Sequence, residues 1–325
     1  VMADARVLVT GATGFVGRVL VRRLREQGVA VRAAVRGPAE TARAVLPPGT
    51  EVAVVGSIGP DTDWTDALVG VDTVAHLAAR VHVMRDAAAD PLAEFRAVNT
   101  AGTRHLAESA AAAGVRRLVF VSSIKAVVDE SRPDPVTDAT PADPHSPYGV
   151  SKREAEEALA AVSTATGLET VVLRPPLVYG PGVAGNLRTL LKLCARRVPL
   201  PLAGVRNRRS LIGVETLADA VAACLVHPAA AGRCFLVDDG APLSTADLVR
   251  ALSAGLGVEP RLFPVPPALL GLAARLLGRA DALDRVAGSL ELDSRGIRNT
   301  LGWHPPLDTA SGLRATAEWF KASGA

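Results

Sequence analysis

The sequence predicts an α/β protein, a doubly wound parallel sheet with a smaller C-terminal lobe woven into it, and three observations predict it. An apolar run, Val7–Val9, enters a glycine turn with Gly11, Gly14 and Gly17, and an amphipathic pattern through Val19, Leu20 and Leu24 follows without a gap. Short β-branched runs then alternate with helical stretches, which requires parallel pairing and right-handed crossovers. Finally, the texture changes at Pro175, where prolines and glycines crowd as far as Gly204.

Taken in order, Ala30–Val35 reads as a second strand, Glu51–Val55 as a third and Val71–Leu77 as a fourth. A helical stretch from Pro91 to Gly114 leads to a fifth strand, Arg117–Ser123, ending in hydroxyls. Ser151–Thr166 is helical, with Glu154, Glu156 and Glu157 read as a solvated face, and Glu169–Leu173 is a sixth strand. Val214–Val226 is helical and Arg233–Val237 returns as a strand; later helices are expected near Asp247–Ala254, Ala268–Leu277 and Leu313–Lys321. Residues 1–176 with 210–239 would form the dinucleotide-binding domain, and 177–209 with 240–325 the substrate-binding lobe. In such sheets ligands sit at the carboxyl ends of strands, where Gly11, Ser123 and Pro175 all fall.

With 325 residues, 49% of them hydrophobic but only 3% aromatic, the core is aliphatic. The net charge of +3 is spread along the chain, and its densest basic run, Arg206–Arg209, is short, so no nucleic-acid partner is expected. Cys194, Cys224 and Cys234 are an odd number in apolar surroundings and are read as buried thiols in a reducing, cytoplasmic compartment. Six scattered histidines lack ligand spacing, so no metal is expected. No signal peptide precedes the first strand, and Ala268–Leu277, broken by Arg275, is too short to span a bilayer.

The glycine turn is a phosphate cradle: a helix N-terminus offers unpaired N–H groups and a positive dipole end, and glycine lets a pyrophosphate approach the backbone. The second chemical constellation is Ser123 with Tyr148 and Lys152, the last two four residues apart on one helical face. A free phenol loses its proton near pH 10, but a neighbouring ammonium favours the phenolate and makes the tyrosine a usable acid/base; a serine hydroxyl both donates and accepts, and holds the substrate oxygen.

With these residues in view, the chain resembles the extended short-chain dehydrogenases/reductases, the NAD-dependent epimerase/dehydratase group. The Thr-Gly-x-x-Gly-x-x-Gly cradle is Thr10–Gly17 and the Tyr-x-x-x-Lys pair is Tyr148 and Lys152. Further matches are His76–Ala79, Asn99–Thr103, Arg174–Pro181 and Leu301–Trp303. The resemblance implies a Rossmann-type fold, Tyr148 as acid/base, Lys152 on the nicotinamide ribose, and a cofactor, NAD or NADP, held by Gly11, Thr13, Gly14, Phe15, Val16, Gly17, Arg36, Ser57, Ile58, Leu77, Ala78, Ala79, Asn99, Val121, Tyr148, Lys152 and Pro175. Likeness to bacterial nucleotide-sugar members of the UDP-glucose 4-epimerase type implies a UDP-hexose-type substrate, met by Ser122, Ser123, Asn186 and Arg209, and a homodimer formed through helices around 91–114 and 151–166.

The chain departs from that pattern in three places. Arg36 stands where many members carry an acid for the adenosine ribose, with Arg32 upstream, and a guanidinium favours the 2′-phosphate of NADP. Ser57 stands where an aspartate often meets adenine, and Leu177 where many nucleotide-sugar enzymes carry a substrate-binding asparagine. The functional reading is hydride transfer at C4 of a nucleotide-linked sugar, as a 4-epimerase or a 4-keto-sugar reductase. An NADPH-dependent ketone reductase of the dihydroflavonol or hydroxysteroid type is the alternative, and a non-catalytic dinucleotide sensor a remote one.

Overall fold

A computed structural model describes residues 5–81, 90–276, 278 and 280–324. The chain runs β1 (Arg6–Thr10), α1 (Phe15–Glu26), β2 (Ala30–Val35), α2 (Ala39–Arg43), β3 (Glu51–Val54), α3 (Thr65–Leu68), β4 (Thr73–His76), α4 (Pro91–Phe95), α5 (Gly102–Ala112), β5 (Arg117–Val121), α6 (Pro147–Thr166) and β6 (Glu169–Arg174). It continues through β7 (Leu177–Tyr179), α7 (Gly185–Ala195), β8 (Leu211–Gly213), α8 (Val214–Val226), β9 (Cys234–Leu236), α9 (Thr245–Leu256), α10 (Pro267–Leu276), α11 (Ala280–Ala287), α12 (Arg295–Leu301) and α13 (Thr309–Ala322).

Seven parallel strands form one sheet in the order β3-β2-β1-β4-β5-β6-β9. The order reverses between β1 and β4, the switch point at which an open sheet leaves a crevice. Two aliphatic layers cover the faces: Leu20, Leu24, Leu217, Val221 and Leu225 on one, and Leu106, Leu118, Leu159 and Phe120 on the other. Helices α1 and α8 pack side by side and are tied by Arg22 to Glu215 and Arg23 to Asp219, whose other oxygen takes the Trp303 indole at 2.8 Å. A third core, with Leu187, Leu191, Leu252, Leu313 and Phe320, joins α7, α9 and α13.

Several elements differ from their sequence-based bounds. Helix α6 begins at Pro147, not Ser151, because Ser146 caps it by accepting the Gly149 N–H at 3.0 Å and proline is favoured in the first turn. The stretch 91–114 is broken by a π-helical turn at Arg96–Ala101. The two-stranded parallel ribbon β7–β8 was not visible as strands, since each is three residues long. Cys194 and Cys224 are buried as expected, whereas Cys234, on the edge strand β9, is exposed. Among the described residues no helix is long and apolar enough to cross a membrane.

Candidate active site

The first glycine after β1, Gly11, adopts φ +66, in the left-handed region where only glycine is unstrained, and a Cβ there would lie 2.8 Å from the Ala78 nitrogen beyond β4. A Cβ on Gly17 would collide with the Gly11 carbonyl, so the glycine spacing is what lets α1 seat directly on the turn. Helix α1 starts without a side-chain cap and with no acidic residue in its first turn. Thr13 and Gly14 are exposed there, and Phe15 and Val16 are half-buried. An uncapped N-terminus at a switch point fits the pyrophosphate of a dinucleotide.

Thr10 and His76 hold the two lips of this crevice together. The Thr10 hydroxyl oxygen accepts the N–H groups of Leu77 (3.2 Å) and Ala78 (3.1 Å), so its own proton goes to His76 Nδ1, 2.7 Å away. The imidazole is then protonated at Nε2, which donates to Thr103 on α5 at 2.9 Å. Burial, and secondarily Lys152, pushes the His76 pKa down to about 3. Neither residue stood among the sequence-derived site residues, although both lie in quoted motifs.

Arg36 is exposed immediately beyond β2 and Ser57 is exposed beyond β3. Ile58 packs against Gly102, where a Cβ would approach it to 2.8 Å. Arg32 does not share this site: it binds Glu51 at 3.0 Å and the carbonyls of Asp66, Ala67 and Val69, pinning β2 to β3 and α3.

Ser123 caps a single 3₁₀ turn just past β5, its Oγ accepting the Lys125 N–H at 3.2 Å, and its hydroxyl acts on the buried Tyr148 phenol. Lys152, fully enclosed, donates from Nζ to the Val121 carbonyl at 2.8 Å and lies 3.9 Å from the centre of the Phe120 ring. Burial lowers its pKa to about 7, against the opposing charge of Glu156. Burial raises the Tyr148 phenol and the Ser123 hydroxyl opposes the rise, while Lys152 Nζ donates into the end of β5. The three side chains nevertheless converge at the carboxyl ends of β4, β5 and β6, beside Pro175, whose carbonyl accepts the Ile124 N–H at 2.9 Å.

Asn99, expected on the cofactor, has its amide taken up by protein: it donates to the Arg80 carbonyl (3.0 Å) and Ser151 Oγ (3.0 Å) and accepts the Arg80 N–H (2.8 Å). The π-helical turn aims it there, joining the segment after β4, which carries Leu77, Ala78 and Ala79, to α6. Ser122, expected on the substrate, has its hydroxyl engaged by protein. It is buried and donates to Glu156 at 2.5 Å, and Glu156, read from sequence as solvated, is buried and paired with Arg174.

Asn186 is exposed in the first turn of α7. Arg209 donates to the Gly288 carbonyl at 2.8 Å, and burial lowers its pKa against the attraction of Asp284. Its neighbour Asn207 is buried and structural, bonded to Thr245, Val286 and Gly288. Leu177, at the start of β7, is 48% exposed.

The sequence model of the NAD dependent epimerase/dehydratase family matches residues 7–237. The chain is 39% identical to a UDP-glucose 4-epimerase of Vibrio cholerae, covering 97% of this chain and 95% of that protein. It is 34% identical to a dihydroflavonol 4-reductase of Zea mays over 70% of this chain and 68% of that one. The crystal structure of MoeE5 in complex with UDP-glucose and NAD superposes with a TM-score of 0.77 at 26% identity, covering 99% of this chain and 100% of the other.

Proposed function

The chain belongs to the NAD dependent epimerase/dehydratase family, is an NAD(P)-dependent enzyme of it, and from that premise we propose that it epimerises C4 of a UDP-hexose through Ser123, Tyr148 and Lys152. The observation that carries the proposal is the convergence of Ser123, Tyr148 and Lys152 at the strand ends beside an uncapped helix N-terminus. When bound, the nicotinamide supplies a hydride acceptor and donor. The protein's part is to move the proton and hold the sugar. Tyr148, with Ser123 acting on its phenol, would take the proton of the sugar 4-hydroxyl and later return it to the 4-keto oxygen. Burial keeps the free phenol protonated, so the charge of Lys152 must be brought to bear on it for the base to form; a ribose hydroxyl held by Lys152 is the link the family resemblance implies. Asn186 and Arg209 are proposed on the diphosphate, Arg209 through the guanidinium edge not engaged by Gly288.

The proposed division remains 1–176 with 210–239 for the dinucleotide and 177–209 with 240–325 for the substrate, supported by the separate core of α7, α9 and α13. A homodimer is proposed through α4–α5 and α6, where Ala93, Ala97, Ala101 and Ala158 line a shallow apolar groove beside the Arg96–Glu154 ion pair.

Two observations favour a second reading, single-pass reduction of a ketone by NADPH. Arg36 suits a 2′-phosphate, and the exposed Leu177 offers an apolar wall where a polar sugar contact is usual. Tyr148→Phe separates both catalytic readings from a dinucleotide sensor: turnover is lost while cofactor is still retained, and full activity in this variant would sink the acid/base role.

A further inference from the structure

Three consecutive residues at the end of β5 are each fastened to a different turn of one face of α6. The Val121 carbonyl takes Lys152 Nζ at 2.8 Å, Ser122 Oγ donates to Glu156 at 2.5 Å, and the Ser123 hydroxyl acts on the Tyr148 phenol. Positions 148, 152 and 156 are successive i, i+4 neighbours, so the three contacts form a ladder along the helix. Glu156 is fastened from the other side as well: Arg174, at the end of β6, donates from Nε to Oε1 (3.0 Å) and from Nη2 to Oε2 (2.5 Å). The Glu156 side chain is 6% exposed and that of Arg174 13%, so either alone would leave a buried, unpaired charge.

We propose that Glu156 is the positioning residue of the site: braced by Arg174, it locks the Val121–Ser123 turn against α6 and sets a carboxylate one helical turn from Lys152. The proposal rests on the reading of Tyr148 as acid/base. Groups facing Lys152 are Glu156 from α6, His76 from β4, and the Phe120 ring and Val121 carbonyl from β5. Those facing Glu156 are Lys152 and Arg153 from its own helix, Ser122 beyond β5, Arg174 from β6 and Cys234 from β9, with Asp138 acting on Arg174 from outside. Removing the carboxylate charge takes away the attraction that opposes burial at Lys152, so the ammonium loses its proton at lower pH.

The chain has four lysines, so a titration of lysine Cε resonances in cofactor-free protein resolves Lys152. In Glu156→Gln, which keeps an oxygen acceptor for Ser122, the Lys152 midpoint moves to lower pH than in wild type, and the alkaline limb of kcat moves with it while KM is little changed. Ser122→Ala removes one rung without removing charge: kcat falls about 10-fold through loosened geometry and the Lys152 midpoint stays in place. A Lys152 midpoint unmoved in Glu156→Gln, or undiminished kcat in Ser122→Ala, overturns the proposal; if Glu156→Gln does not fold, Ser122→Ala decides alone. Full turnover in Tyr148→Phe would instead refute the acid/base reading beneath it.

Discussion

Arg36 and His76 show how single residues set the chemistry of this crevice. Arg36 follows β2 with its side chain exposed, and we propose it on the adenosine ribose. Arg36→Asp should weaken NADP binding far more than NAD binding, measured by titration of both cofactors, and equal loss would refute a 2′-phosphate role. His76 makes a different prediction. Its folded pKa is depressed to about 3 from 6.5, so between those values the unfolded chain binds a proton that the folded chain refuses. This residue's contribution to stability is therefore present above about pH 6.5 and is lost progressively as pH falls towards 3. Denaturant midpoints compared at neutral and mildly acidic pH should fall less in His76→Gln than in wild type; the same fall in both would remove the neutral imidazole from the account. Chemistry at this scale was partly legible. Tyr148, Lys152 and Ser123 could be named because spacing places them, but Glu156 could not be told from Glu154 and Glu157, since helical position alone does not say that Arg174 arrives from a distant strand. The signal was there in the i+4 step from Lys152.

Elements were legible where the apolar period was strong and weakly so where tertiary pairing makes them. The strands of the main sheet could be read because parallel, doubly covered strands are continuous apolar runs. Strands β7 and β8 exist through their pairing, Leu177 to Leu211 and Tyr179 to Gly213, which no local pattern announces. The π-helical turn at Arg96–Ala101 was equally hidden, since its reason lies in the reach of Asn99 to Arg80 and Ser151. The cap at Ser146 and Pro147 was a readable start signal, and it carries Tyr148 into the first turn of α6. The outer faces of α4–α5 and α6 carry the small residues of the proposed dimer contact. Substituting Ala97 by Arg there should convert the protein to monomer in light scattering, and an unchanged assembly would place the contact elsewhere.

Across the whole molecule, the sheet reverses its order between β1 and β4, where a doubly wound sheet leaves a crevice for a ligand, and the proposed chemistry places the sugar at the ends of β5 and β6. The fold therefore points to the reaction class more firmly than to the substrate, whose contacts we propose on the lobe of α7, α9 and α13. The direct test is to incubate the purified protein with UDP-glucose and follow the anomeric proton signals by NMR while recording absorbance of the reduced cofactor. The account predicts interconversion of UDP-glucose and UDP-galactose with no net change in reduced cofactor; cofactor-loaded protein that leaves UDP-glucose untouched but consumes NADPH with a ketone would contradict it.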